Sequence, residues 1–239
     1  MKQVKRTIER IGEVIFVKSS RSTNLRVSVR PGHPVRVSAP AHVTDSYVMN
    51  FLKEKESWIV SQQQKFSQKM MTFLPETDFK TKMHQLIIVP NVMRRTVEAT
   101  IAKGEIKVLV PRNLKVEDER VQAFIKKVIV ETLRREAKSV IPLLVEDMAK
   151  KFNFRYNQVV IKNVHSKWGS CSGSNNLNFN LHLMRLPDEL IQYVVLHELV
   201  HTVEKNHGPG FWHLLDKVSG DAKRLDRELK KFRVEFIEV

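Results

Sequence analysis

The chain has 239 residues, room for one large domain or two small ones, and at 42% hydrophobic and 28% charged it reads as a folded globular protein. Its 41 Lys and Arg outnumber 26 Asp and Glu, a net charge of +15, and a single cysteine excludes both an internal disulfide framework and a cysteine-rich zinc site. The first ten residues lack the apolar core of a signal peptide and no run of 18 apolar residues occurs, so the expectation is a cytoplasmic protein that does not span a membrane.

Residues 24–30 alternate apolar Leu25, Val27 and Val29 with polar neighbours, the pattern of a half-buried strand. A Pro31-Gly32-His33-Pro34 turn follows, and Val35, Val37 and Ala39 mark a second strand. If the two pair as a hairpin, Arg26, Arg30 and Arg36 share one basic face. A helix is predicted from about Thr44, an N-capping type, to Phe66, with Val48, Phe51, Leu52 and Ile59 at helical spacing. The order then recurs: a strand over 97–101, a turn at Lys103-Gly104-Glu105, a strand over 106–110, Pro111, and a long helix from about Val116 to Lys151 that Pro142 should kink. Val35 and Ile106 stand 71 residues apart, as do Pro40 and Pro111, which suggests an internal duplication joined by a linker over 67–80. Strands are expected at 158–164 and 177–183, and Pro187-Asp188-Glu189 opens a further helix, with proline at its first position.

The basic excess is uneven. Residues 1–115 hold 21 Lys and Arg against nine acidic residues, whereas residues 116–239 hold 20 against 17. The N-terminal half therefore suits an anionic partner such as a nucleotide or nucleic acid. The fold expected is α+β: a basic, β-rich region over 1–115 built of hairpins with helices, then a second, small domain over 116–239 that holds most of the histidines.

Six of the nine histidines fall within 49 residues, His165, His182, His197, His201, His207 and His213. The informative string is His197-Glu198-Leu199-Val200-His201, set in an apolar helix. Residues four apart on a helix share a face, so both imidazoles can reach one metal. Glu198 lies about a quarter turn round, placed to take a proton from a metal-bound water without joining the ligands. A catalytic zinc wants three protein ligands and one open position. His207 is the third candidate, flanked by Asn206 and Gly208, which can end the helix; a downstream acid, Asp216 or Asp221, is the alternative. His213 is a decoy on a short helix. Cys171, in Gly169-Ser170-Cys171-Ser172-Gly173, imitates a nucleophile elbow but lacks a following helix and an acid–histidine pair. Asn178 and Asn180 suggest an edge strand able to pair an extended substrate.

Three strings carry a family resemblance: Ser166-Lys167-Trp168-Gly169-Ser170-Cys171-Ser172, Tyr193 to His201, and Asn206-His207-Gly208-Pro209-Gly210-Phe211-Trp212. In their order and spacing the chain resembles the YgjP-like metallopeptidase domain family, relatives of the SprT-like zinc proteases. The resemblance is dense over about 160–215 and looser upstream. It implies zinc as cofactor, His197, His201 and His207 as ligands, Glu198 as catalytic base, and a peptide or protein substrate. The chain departs from it at Lys167, where the family usually has arginine; lysine keeps the charge and loses the bidentate fork. Two other functions stay open: hydrolysis of a non-peptide bond, such as a nucleotide phosphoanhydride, and a protease associated with nucleic acid.

Overall fold

The computed structural model describes residues 2–29, 33–69, 71–164 and 167–232, and is α+β throughout. Arg30, Pro31 and Gly32 of the 31–34 turn, His165 and Ser166 lie outside the described residues. Contacts divide the chain into two compact units, Met1–Met71 and a second beginning at Thr72. The strands around Gly104 thus fall in one unit with the histidine cluster, whereas composition and charge divide the sequence after residue 115.

The first unit holds strands β1 (Lys2–Ile8), β2 (Gly12–Ser19), β3 (Arg26–Ser28) and β4 (Val35–Pro40), and helices α1 (Asp45–Glu54) and α2 (Glu56–Lys69). The sheet order is β1-β2-β4-β3. β3 pairs antiparallel with β4, Val27 opposite Val37, while β2 runs parallel to β4, Val14 opposite Val35. Val14, Phe16, Val35, Val37 and Ala39 pack with Val48, Leu52 and Ile59 of the helices. Arg26 and Arg36 stand on the other face of the sheet, each exposed. The β1–β2 hairpin has no counterpart in the periodicity reading, because β1 is polar at most positions and exposed along most of its length. Thr44 caps α1 by accepting from the Tyr47 N–H at 3.3 Å. The single predicted helix over 44–66 is broken at Lys55.

The second unit opens with β5 (Gln85–Val92), β6 (Glu98–Ala102) and β7 (Glu105–Pro111), in the order β5-β7-β6. β5 runs parallel to β7, Leu86 opposite Ile106, and β6 antiparallel to it. Strand order and directions are those of β2, β3 and β4, and in each unit a helix follows the central strand. The boundary between the units, after Met71, falls within the 67–80 stretch read as a linker, which is helical to Lys69 and buries Phe73 fully.

Helix α3 (Glu119–Phe152) runs unbroken through Pro142 for 34 residues and buries one side from Val121 to Ala149. It ends at Asn153, which takes the left-handed conformation (φ 56°) that asparagine tolerates at a helix C-terminus. The buried Gln122 amide holds the preceding chain: Oε1 accepts from the Phe73 N–H at 2.9 Å, and Nε2 donates to the carbonyls of Phe73 and Val116, both at 2.8 Å. The buried Glu136 carboxylate ties the turn before β5, accepting from Thr81 Oγ1 at 2.5 Å and meeting His84 Nδ1 at 2.6 Å.

A three-stranded sheet follows, β8 (Gln158–Lys162), β9 (Gly169–Cys171) and β10 (Asn176–Asn180), in the order β8-β10-β9. The predicted strand over 177–183 stops at Asn180, whose side chain accepts from the His182 N–H at 3.2 Å and opens a 3-10 turn over Leu181–Arg185. Helices α4 (Asp188–Val200), α5 (Pro209–Ser219) and α6 (Ala222–Lys231) complete the unit. Pro187 precedes the first turn of α4 instead of occupying it. No helix among the described residues is long and apolar enough to cross a membrane.

Candidate metal centre

Helix α4 is apolar nearly all round: Leu190, Ile191, Tyr193, Val194, Val195, Leu196, Leu199 and Val200 are buried. His197 lies in its last turn and His201 caps its C-terminus. The chain leaves the helix at once, in a tight turn where Thr202, Val203 and Glu204 donate to the carbonyls of Leu199 and Val200. The reversal therefore precedes Asn206 and Gly208, the residues expected to end the helix; Gly208 instead starts α5, with Pro209 in its first turn. This short loop returns His207 to the helix end.

The three imidazoles converge. His207 Nε2 stands 3.1 Å from His197 Nε2 and 3.2 Å from His201 Nε2. Among the described residues this is the one group of three or more metal-capable side chains, with all three ligand atoms within 4.8 Å of one another. His201 Nδ1 donates to the Glu204 carbonyl at 2.9 Å, so the tautomer leaves its Nε2 as a bare lone pair aimed at its neighbours. Lone pairs converging in this way repel unless a cation sits among them. Tetrahedral zinc with bonds of about 2.0–2.1 Å needs nitrogens roughly 3.3–3.4 Å apart, close to the spacing here. Burial, with the neighbouring imidazoles second, holds His197 down at about 4, and burial also lowers His201. Both side chains are thus neutral near pH 7, as ligation requires.

Phe211, fully buried in the first turn of α5, closes the cluster from below, its ring centroid 4.9, 4.5 and 4.6 Å from those of His197, His201 and His207. Two further contacts hold the loop. A Cβ at Gly210 would lie 3.1 Å from Glu204 Oε1, so the Glu204 carboxylate sits over the start of α5, where a helix favours negative charge. Lys205 Nζ donates to the Ser172 carbonyl at 3.4 Å and to the Asn175 side chain, joining the His207 loop to the turn between β9 and β10.

Glu198 is 5% exposed, and its Oε2 has no partner among the described residues. Burial raises its carboxyl to about 8, opposed by the Lys167 cation and by the Cys171 backbone N–H. A methyl group at Gly169 would lie 2.6 Å from Glu198 Oε1, so the strand passes against the carboxylate. The motif residue Gly169 is there because nothing larger fits.

The remaining sequence candidates separate from this cluster. Asp216 Oδ1 accepts from the Ala222 N–H and Asp221 Oδ1 from the Arg224 N–H, so both acids serve the start of α6. His213 lies on the exposed side of α5. Cys171 is half-buried on β9, its thiol pushed up by burial, with no strand-to-helix elbow around it. Asn178 and Asn180 lie on the central strand β10, not on an edge: Asn180 Nδ2 donates to the carbonyls of Val164 and Lys167, and Asn178 Nδ2 to that of Ser170. The edges are β8 and β9. Phe211 and Gly169 were legible only as members of the strings that carry the family resemblance; neither residue type signals a contact with a site.

A histidine pair on the end of an apolar helix, met by a third from the next loop and a carboxylate from the same turn, belongs to the zincin-type metallopeptidase architecture. The family model described as "YgjP-like, metallopeptidase domain" matches residues 23–232, and the chain belongs to that family. Comparison with curated proteins gives no match. Among solved structures, the chain is similar to the metallopeptidase zymogen of Methanocaldococcus jannaschii jannalysin, at 24% identity and a TM-score of 0.35, over 38% of this chain and 94% of that one. It is also similar to the metallopeptidase zymogen of Pyrococcus abyssi abylysin, at 22% identity and a TM-score of 0.35, over 39% and 95%.

Proposed function

We propose that this chain is a zinc-dependent peptidase in which His197, His201 and His207 hold the metal and Glu198 acts as general base. The observation that carries the reading is the meeting of three imidazole Nε2 atoms beside a buried, unpaired carboxylate oxygen. A zinc ion in this position would polarise a substrate carbonyl and acidify a water molecule. Glu198 takes a proton from the attacking water and returns it to the departing amine nitrogen. Burial makes that carboxylate a stronger base than an exposed glutamate. Tyr193 is 1% exposed and packed into the core, and His213 faces solvent, which leaves Lys167, whose charge acts on Glu198, to favour negative charge developing on the substrate.

Strand β9 is the place for the substrate. The Asn180 N–H donates to the Trp168 carbonyl and the Ser172 N–H to the Asn176 carbonyl, so by alternation Gly169 and Cys171 turn their backbone groups away from β10. The Cys171 N–H is used by Glu198. The other outward groups are free to add an extended peptide as a further strand.

The test is metal content and turnover together. The parent chain should carry about one zinc and cleave an unfolded protein such as casein; His207→Ala should lose the zinc, and Glu198→Gln should keep it without turnover. Cleavage by the Glu198→Gln variant at the parent rate would remove the base. Hydrolysis of nucleoside triphosphates without any peptide cleavage would replace the substrate class.

A further inference from the structure

Residues 90–115 build a second feature that the metal centre does not use. Pro90 brings no N–H to the ladder, and β5 is an edge strand, where such a residue is tolerated. The register of β5 on β7 shifts between Val89 and Val92, and Asn91 takes a left-handed φ of 61°. The irregularity turns the Asn91 carbonyl out to accept from Arg112 Nε at 3.1 Å. That contact fixes the Arg112 guanidinium and leaves its two terminal nitrogens without a hydrogen bond among the described residues.

Two hollows meet at Arg112 and Asn113, of about 540 and 450 Å³. Arg94 and Arg95 stand on the wall of the first. Arg95 has no ion pair among the described residues. Arg94 is held only by an exposed contact with Glu98 at 3.6 Å, a pairing of little strength in water. Apolar patches lie between the cations, Met93, 80% exposed, with Val92 in one hollow, and Pro90 with Leu114 in the other; Asn91, Asn113 and one acid in each hollow, Glu98 and Glu117, also belong to the lining.

We propose that this groove binds single-stranded nucleic acid, with the guanidiniums on phosphates and the bases lying on the apolar floor. The occupant follows from the alternation. Each nucleotide carries one negative charge and one flat, weakly polar face, and the groove presents forked cations between patches of exposed apolar side chain. Each hollow has room for a nucleotide, and their continuity through Arg112 suits a strand better than a lone phosphate. An acidic peptide would use the arginines and leave the apolar floor bare. Residues 72–115, in the same unit as the groove, hold eight Lys and Arg against four acidic residues, a surplus that adds long-range attraction for the same partner.

The experiment uses the full chain, a fluorescein-labelled oligothymidylate of about 15 nucleotides, and anisotropy over a salt series. Three neutralised phosphates on a single strand give a log–log salt slope near −2, so affinity should fall roughly fifteenfold between 50 and 200 mM salt. R94A/R95A/R112A should weaken binding at 50 mM at least about tenfold and nearly abolish the salt dependence, while R94K/R95K/R112K, folded alike by circular dichroism, should restore the slope. Unchanged affinity and slope in the alanine variant would overturn the proposal, since cations elsewhere would then hold the strand. So would failure of the parent chain to bind at 50 mM. Competition by thymidine monophosphate as strong as by unlabelled strand would convert the groove into a nucleotide site. Equal competition by polyglutamate would reduce it to an unselective basic surface.

Discussion

Gly169 and Glu198 are 29 residues apart in the chain, and a methyl group on the first would sit 2.6 Å from Oε1 and 2.7 Å from Cγ of the second. Real Cβ atoms do not approach so closely, and the buried side chain has little space to retreat. The glycine is therefore part of how the carboxylate is placed, through the absence of a side chain.

Gly169→Ala should displace the Glu198 carboxylate without touching the three histidines. The expected outcome is a loss of at least about tenfold in kcat/KM, or about 1.4 kcal/mol, with one zinc per chain retained. Steady-state kinetics and elemental analysis on the same sample check it. Loss of the metal would show that the strand positions the ligands as well.

The buried Glu198 carboxyl titrates near 8, against an ordinary value of 4.5. Between those values the folded, metal-free chain holds a proton that the unfolded chain has released. Its contribution to stability is full below about pH 4.5, falls as pH rises, and is gone above about 8. His197, lowered to about 4, acts in the opposite sense between there and its ordinary 6.5. The difference between parent and Glu198→Gln isolates the carboxyl. Urea melts of chelator-treated protein at several pH values should show the variant gaining on the parent as pH rises from 5 to 8; a constant difference would contradict the buried carboxyl.

Lys205 joins the His207 loop to the β9–β10 turn through Ser172 and Asn175. Lys205→Met should loosen both. Zinc affinity, read by competition with a chromogenic chelator, should fall by about tenfold, near the low end for residues that support metal ligands. Amide exchange should quicken in β9 and in the 202–208 loop together. Faster exchange in only one of them would mean that the lysine does not couple the two.

Gln122→Leu removes an amide that satisfies three backbone groups, at Phe73 and Val116. Buried backbone groups left without partners cost about 1–3 kcal/mol each. A destabilisation of at least about 3 kcal/mol in urea is expected, with the native far-UV spectrum kept; a loss below about 0.5 kcal/mol would mean that water replaces the amide.

Local chemistry was readable wherever a pattern closes within a few residues. The i, i+4 histidines, the Thr44 cap and the positive-φ Lys103-Gly104 turn need only helix or hairpin geometry, and each stands where periodicity places it. Strand β1 escaped because it is largely polar and its pairing with β2 makes it a strand; β5 escaped because a proline and a bulge interrupt it after Val89. Pro142 misled in the opposite direction. A long helix packed along one side has enough tertiary contact to carry the lost hydrogen bond.

The sequence by itself determined the i, i+4 histidine pair and the acid beside it, and offered His207 against Asp216 or Asp221 as the third group, because the spacing of side chains on a helix and across a short loop is a local property. Only the tertiary structure decided which strands are edges, that Asn180 on a central strand holds the carbonyls of Val164 and Lys167, that Phe211 closes the cluster, and that Gly169 must yield its side chain to Glu198. Those contacts join elements separated along the chain, and their energies come from close packing and burial, which no single stretch of residues contains.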